Sequence, residues 1–437
     1  MNAKKVFNNI SWLVFDKIFT LLLGLIVIVM VANHYGPSEY GLYQYAISIN
    51  ILLGVMVLFV DGRVVKKLFR DKSEGYIIYN TTIAKVFLSI VSLIIGILML
   101  LVIDKGIKFN SIYLLLLINN IVINLAFGIQ SYFEYQLKSK NVVIASNIAN
   151  IISAILQMIA IGLNFSIISI VIIILLSSLI KLLILFYQFK KSFYIKIVTK
   201  VDKLLISAII KESIPLAVAA TAAMIYARID QVMIGTMLDV NEVGIYSISV
   251  QMISVVTIAI SPIQISFYPK MIEWYNSNRE IYYKKYQAIS ALTTWIYIMG
   301  ATVTFIIAPI LFDKFLVDDY SKSMDVFKIL VLGTFFMYNA ALRSSHFTLT
   351  KCTYVLMVSQ IIAVFVNIVL NYLMISKYGI YGAAVATVIT QFVSLFLSNL
   401  FFKKSKNIFW IQISGLNPKY ILKLWTPISH LKKENPI

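Results

Sequence analysis

The chain has 437 residues, of which 60% are hydrophobic and only 13% charged, against about 25% charged in an average soluble domain. So little polar surface cannot coat a soluble core of this size, which excludes a soluble enzyme or binding module and leaves a polytopic membrane protein. The net charge of +19 raises nucleic acid as a partner. However, the basic residues cluster in short segments between apolar runs, as the positive-inside rule describes, so no nucleic-acid partner is inferred.

In chain order the apolar runs predict twelve spans, near 10–33, 43–61, 81–103, 111–133, 142–163, 167–187, 213–237, 244–268, 289–311, 326–350, 353–375 and 381–402. Each is close to the ~20 residues a helix needs to cross hydrocarbon. Helices are expected because backbone groups in lipid must be satisfied within the segment, and stretches such as IISIVIIILL lack the alternation of a barrel strand. No small-residue cleavage site follows the first run, which is therefore expected to remain as a span. A single cysteine, Cys352, cannot form an intramolecular disulfide.

Placing the N-terminus inside puts 27 of the 38 Lys and Arg in cytoplasmic segments and five outside: Lys105, Lys108, Lys314, Lys322 and Lys377. That asymmetry predicts both termini in the cytoplasm. The expected organisation is an N-terminal six-helix lobe (1–190), a cytoplasmic linker (191–212), a C-terminal six-helix lobe (213–402) and a basic cytoplasmic tail (403–437). The tail carries Trp410, Tyr420 and Trp425 among lysines, which suits a segment lying on the inner membrane surface.

The turn PSEYGLY after the first span reappears as NEVGIY after the seventh, with Glu39, Gly41 and Tyr43 matching Glu242, Gly244 and Tyr246 at an offset of 203 residues. Six spans lie between them, an even number, so the halves share one orientation and form a parallel repeat. Ser38 and Asn241 are expected to cap the following helices, the glycines to permit close packing, and the tyrosines to sit at the membrane interface.

Three stretches, NNISWLVFDKIFTLLLGLIVIVMVANHYGPSEYGLYQYAIS at the start, RIDQVMIGTMLDVNEVGIYSIS with the following FYPK, and the late YGIYGAAVATVITQF, resemble the bacterial polysaccharide repeat-unit flippases, the Wzx or O-antigen flippase type. These share a superfamily with multidrug exporters and lipid II flippases. The resemblance implies an all-α integral membrane protein of twelve transmembrane helices, with two six-helix lobes related by a parallel pseudo-two-fold around a MATE-like V-shaped cavity. It further implies a lipid-linked oligosaccharide as substrate, no cofactor, a bacterial inner-membrane location, and a polysaccharide polymerase and chain-length regulator as partners.

An ionisable group inside a span is costly unless paired or wetted. Six cations, Lys17, Lys85, Lys181, Arg228, Lys328 and Arg343, face two carboxylates, Asp16 and Asp230. The excess suits an anionic passenger. Lys85 and Lys328 lie near span ends and are expected to snorkel. Lys17, Arg228 and Arg343 lie deeper and, with Lys181, are the candidates for binding the passenger's anionic head; structural ion pairs are the alternative. A lysine at 343 is accordingly expected to serve better than a glutamine. Asp230 and Asp16 are the candidates for ion coupling, although Asp230 could equally neutralise an arginine. Asn119, Asn120, Asn124, Asn147 and Asn150 could hydrogen-bond sugar hydroxyls or join helix to helix.

His34, His346 and His430 show no metal-ligand spacing, and no phosphate-binding loop is present. An enzyme such as a sugar polymerase is disfavoured because the longest outer loop, FDKFLVDDYSKSMD, has only fourteen residues. A drug exporter and a flippase of lipid II or a teichoic precursor remain open alternatives.

Overall fold

A computed structural model describes residues 3–103 and 105–425; His430 lies outside the described residues. Among these, all regular structure is helical. The first of two compact units covers residues 1–244. It contains α1 (Ala3–Leu53), α2 (Gly62–Leu68), α3 (Glu74–Met99), α4 (Ile107–Leu125), α5 (Phe127–Tyr135), α6 (Ser139–Gly162), α7 (Ile167–Ser192), α8 (Lys203–Met237) and the start of α9 (Val240–Val256). The second unit, residues 245–437, holds the rest of α9, α10 (Ile260–Ser277), α11 (Arg279–Phe315), α12 (Ser321–Leu349), α13 (Thr353–Gln391) and α14 (Lys406–Ser414).

Ten stretches among the described residues are long and apolar enough to cross a membrane, and two of these hold two spans each. The helix α1 breaks at Gly36 (φ 69°, ψ 171°) and α13 at Gly379 (φ 58°, ψ −139°). Glycine enters that backbone region without the Cβ clash other residues meet. Pro37 then takes the first helical position, where its missing N–H costs nothing. Counting both breaks, the described residues make twelve spans, the number expected.

The two repeat turns lie against each other. A Cβ built on Gly41 would strike the Val240 carbonyl and come within 2.8 Å of the Gly244 nitrogen. One built on Gly244 would strike the Pro37 carbonyl and come within 3.1 Å of the Gly41 nitrogen. Pro37 and Val240 are also 203 apart, so the contact is reciprocal, as at an isologous two-fold. The crossing explains why both copies keep glycine, and it supports the parallel duplication. The compact units divide at Gly244, since α8 packs against α1 within the first unit.

Other details of the turns differ from expectation. Asp239, not Asn241, caps α9, its Oδ1 accepting the Glu242 amide at 2.8 Å. Glu39 forms an ion pair with Lys108. Tyr246 is buried, with its hydroxyl 3.4 Å from Thr387 Oγ1, because the helix continues inward past the turn.

Two segments expected to be peripheral are packed. The linker is tied to α3: Asn80 Nδ2 donates to the Lys200 carbonyl at 3.0 Å, and the Asp202 amide donates to Asn80 Oδ1 at 2.8 Å. The Tyr76 hydroxyl and the amides of Leu205 and Leu204 hold the Asp202 carboxyl below the usual carboxylate range. The tail folds back on α11, through α14 and a 3-10 turn (Pro418–Leu424). That docking lets α11 begin at Arg279, ten residues ahead of the expected 289, with Lys284 and Lys285 buried.

Candidate functional site

Hydrocarbon leaves a helix few places for a cation, so the partners within reach decide what each candidate can do. Arg228 is half-buried on α8. Its Nη1 donates to Gln231 Oε1, one turn on, at 3.1 Å. That oxygen also accepts from the Ser48 hydroxyl. Tyr40 and Tyr43 are within electrostatic reach of the guanidinium, and Gln44 Nε2 donates to the Tyr40 hydroxyl at 2.8 Å. Arg228 therefore sits among an amide and phenols, and among the described residues it has no ion pair. Asp230, buried and two residues on, points to a different side of the same helix, as the helical repeat requires.

Asp16 and Lys181 are within electrostatic reach of each other. Each is half-buried, and Lys181 is the charge acting on Asp16, with Asn147 beside it. Glu134 also acts on Lys181 and pairs with Lys66 at 2.7 Å. Lys181 thus feels the charge of two carboxylates. Lys17, the neighbour of Asp16, is exposed instead.

Arg343 is 2% exposed inside the second unit. Its Nε donates to Asn399 Oδ1 at 2.6 Å, and its Nη2 to Ser359 Oγ at 2.6 Å and Ser398 Oγ at 3.1 Å. The Phe347 ring lies 5.1 Å from the guanidinium carbon. Span 12 can present Ser398 and Asn399 there because it leaves the α-helical path, first as a π turn (Phe392–Phe396) and then as a 3-10 turn (Leu397–Phe401). Such breaks re-aim side chains.

Lys85 does not snorkel. It is buried, donates to the Val57 carbonyl at 2.7 Å, and lies 4.3 Å from the centre of the Phe127 ring. The acceptor is exposed where the second span tightens into a 3-10 turn over Gly54–Phe59. That loosened carbonyl offers a nearer partner than the headgroups do. Lys328 pairs at its span end with Asp325 at 3.1 Å.

The asparagines of spans 4 and 5 mostly join helices. Asn120 Nδ2 reaches Asn50 Oδ1 at 2.9 Å, and Asn124 Nδ2 reaches Ser89 Oγ at 3.0 Å. The structure adds two more, Asn367 and Asn371, one turn apart and fully buried on α13, joined at 3.1 Å. Their spacing in an aliphatic span is a signal the sequence does carry. His346 is buried too, its Nδ1 2.7 Å from the Tyr282 hydroxyl, and among the described residues no His, Cys, Asp and Glu group could hold a metal.

The fold matches solved transporters over nearly the whole chain. An inward-facing multidrug resistance MATE family transporter of the MOP superfamily aligns with TM-score 0.70 and 15% identity, over 95% of this chain and 96% of that one. The lipid II flippase MurJ in its inward closed conformation aligns with TM-score 0.71 and 17% identity, over 97% and 93%. The MATE multidrug transporter DinF-BH aligns with TM-score 0.65 and 13% identity, over 94% and 97%. No curated protein matches the sequence. The family of polysaccharide biosynthesis proteins, however, matches residues 6–274, well over half of the 437, and the chain belongs to that family.

Proposed function

We propose that this protein is a flippase, not an enzyme, and that it moves undecaprenyl-pyrophosphate-linked oligosaccharide repeat units of a surface polysaccharide, O-antigen or similar, to the periplasmic leaflet of a bacterial inner membrane. Membership of the polysaccharide biosynthesis family and a MATE-like fold support the reading. The observation that carries it is Arg228, a half-buried guanidinium hydrogen-bonded to an amide near two phenols, with no ion pair among the described residues. A cation left in that state suits a pyrophosphate better than the positively charged drugs of an exporter. Lys17 and Lys181 would add field on the same unit. Asp16, opposed to Lys181, and Asp230 are the groups for ion coupling, while Arg343 acts through packing. A polymerase and a chain-length regulator would receive the flipped unit.

A single charge contact in a wet site is worth about 1–4 kcal/mol depending on the local dielectric. Arg228→Gln should therefore slow flipping roughly tenfold or more, measured as surface glycan in cells whose own flippase is deleted, with the protein still inserted at normal level. Arg228→Lys should retain more. Normal glycan in Arg228→Gln, with drug accumulation raised instead, would transfer the assignment to drug export.

Orientation is tested separately. Reporter fusions at Lys72, Asn241, Tyr320 and Leu416 should read inside, outside, outside and inside, as the distribution of basic residues requires. A periplasmic reading at Leu416 would break the twelve-span topology.

A further inference from the structure

The first turns of α11 and the docked tail line a half-open cavity of about 400 Å³. Its walls include Arg279, Lys284 and Gln287 from α11, Asn407 and Trp410 from α14, and Tyr420 from the 3-10 turn. They are firmly joined. Lys285, buried beside the cavity, donates from Nζ to the carbonyls of Lys423 and Leu424, both at 2.8 Å, and so satisfies the open end of the 3-10 turn. Gln287 Nε2 donates to Ser414 Oγ at 2.7 Å. At Gly415 the tail runs so close to α11 that a Cβ would lie 3.0 Å from Thr294 Oγ1 and 3.1 Å from the Ser290 carbonyl. Gln412 Oε1 accepts from Asn399 Nδ2 at 2.9 Å, which ties α14 to span 12.

Two features point to a ligand. Gln287 is 2% exposed and lines the cavity, yet its Oε1 has no hydrogen-bond partner. Buried acceptors are nearly always satisfied, so one left open beside a cavity marks where a donor would sit. Second, the lining carries two cations against one carboxylate. Lys284 Nζ lies 2.8 Å from Glu280 Oε1. The guanidinium of Arg279 stacks on Tyr275, 3.0 Å from the ring centre, at the start of the helix. Trp410 is 56% exposed. An open acceptor, net positive charge and an exposed indole together fit a ligand that has a hydroxyl, a phosphate and an apolar C–H face.

We propose that this cavity binds the phosphate-bearing, hydroxylated headgroup of a membrane lipid. Gln287 Oε1 accepts a headgroup hydroxyl, Arg279 attracts the phosphate, and Trp410 covers the C–H face. Two lipids share that chemistry. Phosphatidylglycerol would make it a regulatory lipid site that stabilises the docked tail. A polyprenyl-pyrophosphoryl sugar would make it a docking point for the passenger, a reading that rests on the flippase assignment above.

Native mass spectrometry of the purified full chain separates these. The protein is exposed equally to phosphatidylglycerol, phosphatidylcholine and undecaprenyl-pyrophosphoryl-N-acetylglucosamine. Wild type should retain phosphatidylglycerol or the pyrophosphoryl sugar about tenfold over phosphatidylcholine, the scale of one good charge-assisted contact. Gln287→Leu and Arg279→Gln should lose that preference, and Lys403→Gln, off the cavity, should keep it. Arg279 stands at the mouth, so its variant tests the site even where the core change at Gln287 disturbs folding. Retention of phosphatidylglycerol alone supports the regulatory source, and retention of the pyrophosphoryl sugar supports the passenger source. No preference in wild type overturns the proposal, as does a preference that Lys403→Gln loses and Arg279→Gln keeps. Normal lipid retention alongside failed glycan complementation would sink the flippase reading and leave the site standing.

Discussion

Gly41→Ala should be among the most damaging single substitutions in the chain, with a loss of more than about 3 kcal/mol, the upper end of ordinary overpacking. The new methyl would meet the Val240 carbonyl, which is backbone, so no rotamer change can relieve the clash. Gly244→Ala should cost as much, because its Cβ meets the Pro37 carbonyl in the reciprocal position. The double variant should cost less than the sum, since one separation of the two turns relieves both clashes. Gly24 and Gly300 supply the control. Neither has an atom within 4 Å of a built Cβ, so alanine there should leave stability unchanged or raise it by about 0.5–1 kcal/mol through helix propensity. Thermal unfolding in detergent, read with expression level, measures all five proteins. Equal behaviour of Gly41→Ala and Gly24→Ala would show that the repeat turns do not cross as described.

At Arg343 the charge-preserving substitution should be the worst. The guanidinium serves Asn399 through Nε and two serines through Nη2, three acceptors on two spans. An ammonium is a point donor at the end of a flexible stem and cannot reproduce that fork. Arg343→Lys would keep the burial cost of a cation and lose at least one hydrogen bond, worth about 1.5–3 kcal/mol when charged. A total loss of about 3–5 kcal/mol is expected for Lys. Arg343→Met leaves Asn399 Oδ1 unsatisfied, at about 1–3 kcal/mol, but it removes the buried charge altogether and should be milder. The expected order of thermal midpoints is Arg, then Met, then Lys. Position in the sequence suggests instead that a charge-preserving lysine serves better than an uncharged glutamine. A Lys variant as stable as wild type would mean that the charge meets water or an anion, returning Arg343 to the binding candidates.

Lys85 and Arg343 also show why candidate residues are less legible than spans. Depth in an apolar run is all the sequence offers for either, but the role of each depends on a partner elsewhere: Val57, 28 residues away, and Asn399, 56 residues away. The same holds for the ends of the chain's elements. Lys284 and Lys285 read as a cytoplasmic loop because exposed lysines end spans, and the tail reads as a surface segment because aromatics among lysines commonly lie on membranes. Only the carbonyls of Lys423 and Leu424 turn Lys285 and its neighbour into helix interior.

The amino-acid sequence alone determined the membrane class, the twelve spans, the helical character and the repeat with its paired glycines. Hydrocarbon forces each span to satisfy its backbone within itself, so length and hydropathy, which are local, carry that information. Tertiary structure decided which polar groups each cation meets, where the compact units divide, and that the tail lines a cavity. Those outcomes turn on which side chains meet across helices. A periodic aliphatic sequence packs almost equally well in several registers, and only the close approach at Gly41 and Gly244 and the placement of individual polar atoms select one.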